Sequence, residues 1–343
     1  MISGRKITCA ISMAALLHGG AVAAAPNSAS SSDALHALLA ALWEYYLEAN
    51  PEAATILGDR RYNDRWTDVS LAHLKAERTA TASFLRRFQA VDTKGLTDED
   101  KLNDQLMIRQ LKSTLKGFDL KLYEMPIYQW RSSTPLQLAS YVGDFPFETV
   151  KDYDDYITRL KRLPLVLDQT VEVAKLGERD GLMPPRYLLE KLAARLDSLA
   201  APAGADNVFA QPLTRFPASI SDEDRARIRT EMITAIDDVV RPAYRRFTAF
   251  VKHDFAPHGR SEPGLWSLPN GEAIYRYAVE TQTTTTQTPE HVHQVGLAEV
   301  ARIEADMAVI AKAQGYTDLA SFRAALKADP RLHASSRADV LAR

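Results

Sequence analysis

The fold class is decided by residues 149–177, which read TVKDYDDYITRLKRLPLVLDQTVEVAKLG. Apolar side chains recur there at three- and four-residue spacing, which places them on one face of an α-helix: Tyr153, Tyr156, Ile157, Leu160 and Leu163. Thr149 is followed three residues later by Asp152, the pattern of a helix N-cap. The stretch therefore predicts one long amphipathic helix that starts after Thr149 and continues past Pro164 to Gly177.

The same helical pattern extends outward in both directions. Capping residues precede apolar stripes at several further positions: Ser32 or Asp33, Ser70, Thr97, Ser221 and Thr288. The pattern breaks between Phe118 and Trp130, where apolar residues alternate and Pro126 intervenes, so this segment is expected to be a short strand or an extended crossing. No repeat of solenoid length is recognisable. We therefore predict a mainly α fold, an irregular multi-helix array with at most a short strand segment.

The N-terminus has the features of a secretory signal. Arg5 and Lys6 precede an apolar stretch, and Ala21-Val22-Ala23 offers small residues at the spacing of a cleavage site. The alternative, a membrane anchor, is disfavoured because His18, Gly19 and Gly20 interrupt an apolar run shorter than the ~20 residues that a span needs. Cys9 stands too early in the run for a lipoprotein signal. We expect a periplasmic or secreted protein without stable membrane insertion after cleavage.

Composition excludes several classes of protein. The chain has 343 residues, 46% hydrophobic and 25% charged, which is typical of a globular protein. Its 42 Lys and Arg are balanced by 44 Asp and Glu, so no excess of positive charge exists to bind a nucleic acid. The single Cys, Cys9, lies in the signal segment, so neither a disulfide nor a catalytic thiol is expected in the mature protein.

The order of these features along the chain predicts its domain organisation. Residues 1–23 form the signal peptide and residues 24–32, rich in Ser, a flexible tether. Residues 33–200 form an N-terminal helical region, and residues 201–220, rich in Pro and Ala, a linker or a surface excursion. Residues 221–343 form a second helical region, which ends at Arg343 without a helix stop signal.

Motifs of known chemistry are absent from the sequence. Two His one helical turn apart with a Glu between them would indicate a zinc hydrolase, and no such pair occurs. His291 and His293 are two residues apart, so on a helix they point in different directions, and His253 and His258 lie in a loop without a fixed element to hold them. A G-x-S-x-G elbow, a P-loop and a G-x-G-x-x-G are also missing. We predict no catalytic residue and no metal ligand in this chain.

One segment has the composition of a ligand-contact surface. It places a Pro-Asn-Gly turn at residues 269–271 between aromatic residues and a run of Thr at residues 283–286, which could hydrogen-bond an extended ligand. The alternative is a packed turn that enters a helix and then a polar loop. The candidate substrate-binding residues are Trp266, Asn270, Tyr275, Tyr277 and Thr284.

Several segments, in shared order along the chain, are similar to one known family. They are Asn50-Pro51-Glu52-Ala53-Ala54 with Gly58-Asp59, Asp152 with Tyr156, Arg159-Leu160 and Leu163-Pro164, Gly181, Pro185-Arg186, Leu268-Pro269-Asn270-Gly271, Thr288-Pro289-Glu290, His293, and Gly296-Leu297-Ala298-Glu299-Val300. Together they resemble the domain-of-unknown-function 885 family of exported bacterial proteins.

The resemblance implies a helical, zincin-like metallopeptidase group. In that family a His-Glu pair followed by Pro-Gly-His-His binds zinc in the C-terminal half, beyond the segment that matches this chain. The resemblance thus implies that the chain is the N-terminal scaffold and part of the substrate cleft for a peptide-like substrate. Zinc is then expected only in a full-length homologue, and this chain would be inactive alone. The alternative is a non-catalytic, helical periplasmic protein that acts in binding or in assembly.

Overall fold

The computed structural model describes residues 30–342, and in that part of the chain it is mainly α, with no β-strand. The α-helices are α1 Ser31–Ala49, α2 Pro51–Ile56, α3 Leu71–Gln89, α4 Asp98–Asp119, α5 Thr134–Ser140, α6 Val150–Arg179, α7 Arg186–Ala200, α8 Asp222–Ala235, α9 Arg241–Ala249, α10 Gly271–Thr283, α11 Pro289–Ala313, α12 Leu319–Ala328 and α13 Arg337–Ala342. The mainly α prediction is confirmed. The predicted signal peptide lies outside the described residues.

The chain divides into two compact units at the bond between Ile274 and Tyr275. The first unit is built around α6, which packs against α3, α5, α8 and α9. Its capping box forms as predicted: Asp152 Oδ2 accepts from Thr149 N at 2.8 Å, and the Asp152 N–H donates to Thr149 Oγ1 at 3.3 Å. The predicted stripe is buried, and the helix runs through Pro164. A smaller apolar cluster joins α1, α3 and α4 around Leu35, Phe88 and Leu111.

The start of α1 differs from the sequence expectation. Ser30 is the N-cap and shares a capping box with Asp33, so Ser31 and Ser32 are helical rather than part of a tether. The Ser32 hydroxyl donates to Asp100 at 2.9 Å, a contact with α4 that holds this first turn in place.

Residues 201–220 are packed rather than a linker. The segment forms two short 3₁₀ helices, Gly204–Asp206 and Val208–Thr214, and the second buries Phe209 and Leu213 in the main core. The Asn207 side chain donates to the carbonyl of Leu199 in the last turn of α7 and to that of Pro202 just after the helix, and the Tyr156 hydroxyl donates to the Phe209 carbonyl at 3.0 Å. The Pro and Ala content therefore marks compact turns here instead of an extended connection.

The segment from Phe118 to Trp130 contains no strand. Helix α4 runs to Asp119, and Lys121 adopts a left-handed backbone with φ of 55°, which reverses the chain into a 3₁₀ helix at Leu122–Glu124. The short apolar alternation that suggested a strand falls across a helix end and this reversal. Three alternating residues are too few to distinguish the two conformations.

The second unit consists of the end of α10 and helices α11, α12 and α13. Thr288 caps α11 as predicted, by accepting from His291 N at 3.2 Å. Among the described residues of this unit Ala311 is the one buried side chain, and the rings of Tyr316 and Phe322 lie 5.3 Å apart. No helix in residues 30–342 is long and apolar enough to cross a membrane.

Candidate functional site

A cavity of about 500 Å³ lies within the first unit, where the α1–α2 junction meets the segment after α4, helix α5 and helix α6. Its lining residues are Tyr46, Asn50, Glu52, Ala53, Ile56, Leu57, Thr67, Val69, Leu122, Tyr123, Met125, Pro126, Tyr128, Ser132, Thr134, Gln137, Leu138, Tyr141 and Val166. Its volume is within the range of small-ligand sites, and its walls combine apolar surface with a few polar groups.

One wall is formed by the sharp junction of α1 and α2. Helix α1 ends at Asn50, whose side-chain amide donates to the Tyr46 carbonyl at 2.8 Å, and Pro51 opens α2. Glu52 then points back to the following loop: its carboxylate accepts from Thr67 N at 3.0 Å and from Thr67 Oγ1 at 2.6 Å. Glu52 is only 4% exposed. The buried carboxylate therefore ties this loop to α2 at the edge of the cavity.

Arg159 of α6 holds the same loop from the core side. Its Nε donates to the Arg65 carbonyl at 2.7 Å, and its Nη2 donates to Pro51 O, Tyr62 O and Thr55 Oγ1 at 3.1, 3.1 and 2.7 Å. Burial lowers the pKa of Arg159 to about 10, so the guanidinium stays charged at neutral pH. The buried side chain thus fixes the backbone that carries Glu52.

The opposite wall is formed by the segment after α4. The Ser133 hydroxyl accepts from Tyr128 N at 3.1 Å and donates to the Pro126 carbonyl at 3.2 Å, while the Tyr128 hydroxyl donates to Ser132 at 3.2 Å. These bonds hold the Tyr128 ring in place. These hydrogen bonds therefore give this wall of the cavity a defined conformation.

This wall also connects the cavity to the segment singled out in the sequence. Leu122 and Met125 line the cavity, and both also pack against an apolar cluster of Leu182, Leu268 and Ile274. Leu268 lies within the loop that carries the candidate residues Trp266 and Asn270. The two regions thus share packing through the segment after α4.

The electrostatic character of the cavity is set by one acid. Glu52 is the only Asp, Glu, Lys, Arg or His among the lining residues, and four of the others are tyrosines. Burial, and to a smaller degree the charge of Glu52, raises the pKa of Tyr141 well above its usual value. Burial also raises the pKa of Tyr123. Tyr123 and Tyr141 are therefore neutral at physiological pH, and the four tyrosines offer rings and hydroxyl groups.

The five residues predicted from the sequence lie elsewhere, and none of them is among the lining residues. In the first unit, Trp266 is 76% exposed and lies against Gly264, and Asn270 has a left-handed backbone with φ of 56° before α10. In the second unit, Tyr275 is 52% exposed, Tyr277 is half-buried and Thr284 has φ of 58°. Their role in binding stays a prediction.

The loop around Trp266 is nevertheless well organised. Arg260 donates to the Met183 carbonyl at 2.9 Å and to the Gly264 carbonyl at 2.6 Å, and its own carbonyl accepts from Arg186 N at 2.9 Å. Gly271 permits close packing, because a Cβ there would lie 2.0 Å from the Leu265 carbonyl oxygen. The Pro-Asn-Gly turn is thus a packed entry to α10, with the Trp266 ring exposed.

The described residues contain no group of three or more His, Cys, Asp and Glu side chains that could hold a metal ion. The Nδ1 of His258, a residue considered above together with His253, contacts the Glu178 carboxylate. The donor set of residues 30–342 therefore does not fit a zinc centre.

Residues 51–343 match the profile of the family described as "Bacterial protein of unknown function (DUF885)". The chain belongs to this family. The fold is also similar to a solved structure of a "putative lipoprotein" from Colwellia psychrerythraea, with a TM-score of 0.79 and 21% sequence identity. The similarity covers 91% of this chain and 57% of the Colwellia chain, so this chain spans little more than half of that protein. No curated protein matches the chain.

Membership of the DUF885 family confirms the resemblance found in the sequence. The first matched residues are Pro51 and Glu52, which form the α1–α2 wall of the cavity. In the sequence alone, this run is recognisable as a helix start and as a family feature, but not as part of a site. An acid in the first turn of a helix is expected on dipole grounds alone, so no local signal in the sequence marks Glu52 as part of a site.

Proposed function

We propose that this chain is the helical scaffold and part of the substrate cleft of an exported, zinc-metallopeptidase-like protein, and that its cavity binds part of a peptide-like substrate. Export is supported by the N-terminal signal features and by the description of the Colwellia protein as a "putative lipoprotein". The metallopeptidase character is supported by the family resemblance.

The cavity is the observation that carries the binding function. Apolar side chains and tyrosine rings supply contact area, and Asn50, Ser132 and Gln137 offer amide and hydroxyl groups to a peptide backbone. Both walls are fixed by hydrogen bonds within the protein, so the cavity exists before the ligand arrives and little ordering is needed on binding. The exposed Trp266 loop, joined to the same wall through Leu268, extends the proposed cleft.

No step of hydrolysis is assigned to this chain, because its described residues do not fit a zinc ion. In a longer family member the zinc motif would supply the activated water, and this half would position the substrate. The chain spans 57% of the Colwellia protein, which leaves room for such a part in a relative of that length.

A cavity-blocking variant tests the proposal. Ser132→Trp places a large ring in the cavity, and Ser219→Trp adds the same ring at an exposed turn outside it. We expect a peptide library to yield ligands whose binding to the purified chain is lost in Ser132→Trp and kept in Ser219→Trp. Equal binding by the two variants would place the ligand elsewhere and refute the cavity as the site.

The alternative hypothesis, a non-catalytic binding protein, also assigns ligand binding to the cavity. The two hypotheses differ in what they predict for a full-length homologue. If the metallopeptidase proposal holds, the homologue cleaves the peptides that this chain binds, and replacement of residues equivalent to Asn270 and Tyr275 slows that cleavage. A homologue that binds the peptides and never cleaves them would support the alternative.

A further inference from the structure

We infer that the cavity selects a positively charged alkyl-ammonium group, such as a lysine side chain or a free diamine, and excludes carboxylates. The inference rests on the proposed function, since it names the class of ligand that the same cavity binds. It is carried by the position of Glu52, by the tyrosine walls and by the absence of any basic residue from the lining.

The Glu52 carboxylate has acceptor capacity left for a ligand. A carboxylate offers about four lone-pair sites, and Thr67 occupies two of them through its N–H and its hydroxyl. Within the described residues, no Lys, Arg or His forms an ion pair with Glu52. Arg159 makes no hydrogen bond to Glu52: its Nε and Nη2 donate to three carbonyls and Thr55, and it acts on Glu52 through its charge. A ligand ammonium would be a direct counter-charge.

The remaining walls suit the rest of such a ligand. The rings of Tyr46, Tyr123, Tyr128 and Tyr141 line the cavity. An ammonium group near a tyrosine ring is attracted to its face. The apolar side chains of Leu122, Met125, Leu138 and Val166 provide surface for an alkyl stem.

An anionic ligand has no place in this arrangement. None of the lining residues is Lys, Arg or His, so a carboxylate would lie beside Glu52 without a compensating charge. Burying an unpaired charge next to a like charge is strongly unfavourable. The cavity is therefore expected to discriminate by charge as well as by size.

A peptide series tests the selectivity. The purified chain is titrated by calorimetry with Gly-Gly-X-Gly-Gly, where X is lysine, norleucine or glutamate, and with 1,5-diaminopentane. We expect the lysine peptide to bind about tenfold more tightly than the norleucine peptide, as for a charge-assisted hydrogen bond, and the glutamate peptide not to bind. Binding of the diamine would show that a free amine suffices, and binding of the peptide alone would assign the group to a lysine side chain.

Two variants locate the effect. Glu52→Gln is expected to reduce lysine binding to the norleucine level while norleucine binding stays unchanged, and Glu223→Gln, an exposed acid on α8, is the matched control. Tyr128→Leu, which leaves Glu52 in place, is expected to weaken lysine binding about fivefold through loss of a cation–π contact.

The outcomes separate this inference from the proposed function. If the lysine and norleucine peptides bind wild type equally, the charge selectivity is wrong and the cavity remains a peptide site. If Glu52→Gln keeps the lysine preference, Glu52 is not the counter-charge and the inference is likewise overturned. If none of the peptides and no library peptide binds, both proposals fail.

Discussion

Replacement of Arg159 by methionine is the sharpest test of how the cavity is held together. Arg159 is 1% exposed, and its guanidinium lies 5.4 Å from the ring centre of Trp66 and 4.5 Å from that of Phe145. It donates four hydrogen bonds to the segment from Pro51 to Arg65. Methionine keeps an unbranched apolar stem and removes every donor and the charge.

The loss of stability depends on whether each carbonyl that Arg159 bonds keeps another hydrogen-bond donor. Pro51 O still accepts from Thr55 Oγ1 at 2.9 Å, and Tyr62 O still accepts from Arg65 N at 3.0 Å. The Arg65 carbonyl loses its Arg159 partner, which costs about 1–3 kcal/mol if the group stays buried. Loss of two cation–π contacts adds about 1–2 kcal/mol. Relief of the desolvated charge offsets part of this sum. We expect the free energy of unfolding to fall by about 3 kcal/mol.

Urea unfolding followed by circular dichroism at a helical wavelength measures this change. Arg162→Met is the matched control, because Arg162 lies one turn further along α6 and bonds Asp64 of the same loop, but its side chain is 50% exposed. The control is expected to lose less than about 1 kcal/mol. A loss below about 1 kcal/mol for Arg159→Met, or equal losses for both variants, would refute the reasoning.

Three further predictions concern the packing around α6 and α9. Gly177→Ala places a Cβ 2.2 Å from the Glu124 carbonyl oxygen and is expected to cost about 1–3 kcal/mol of unfolding free energy, measured by urea titration. Burial, and next the charge of Asp180, raises the pKa of Glu124, so the stability that its protonated form contributes is lost as pH rises through that raised pKa. Glu124→Gln should therefore gain stability relative to wild type as pH rises above the ordinary range of a carboxyl group, and a pH-independent difference between the two proteins would contradict this. Tyr244→Phe removes a 2.7 Å hydrogen bond to the Pro135 carbonyl and should lower the free energy of unfolding by about 1–2 kcal/mol, which a lower thermal midpoint would reveal.

The helices could be predicted because their signals are local. Ser70, Thr97, Thr149, Ser221 and Thr288 each accept from the backbone N–H three residues on, as the sequence pattern predicts. Such a bond depends only on the neighbouring residues, so a single sequence contains the information. The first cap is Ser30 instead of the predicted Ser32 or Asp33, an error of two or three residues in the same rule.

The cavity could not be predicted because its walls come from distant parts of the chain. Tyr46 and Val166 line the same space although 120 positions separate them in the sequence. Nothing local marks Glu52 as a lining residue, since an acid in the first turn of a helix is expected on dipole grounds alone. The packing of segment 201–220 is not predictable from the sequence for the same reason, because Phe209 is buried by contacts with α6 and α9 that composition does not encode.

The loop from Pro51 to Thr67 contributes both to the stability of the fold and to the proposed binding site. Arg159 holds its carbonyls from the core, and Glu52 holds Thr67 from the cavity side, so the loop stands between two buried charges of opposite sign. The arginine donates four hydrogen bonds within the protein, whereas Glu52 accepts two and lines a cavity that has no other charged lining residue. A change at Arg159 should therefore weaken folding first and binding as a consequence. A change at Glu52 should alter the choice of ligand while Arg159 keeps the wall in place.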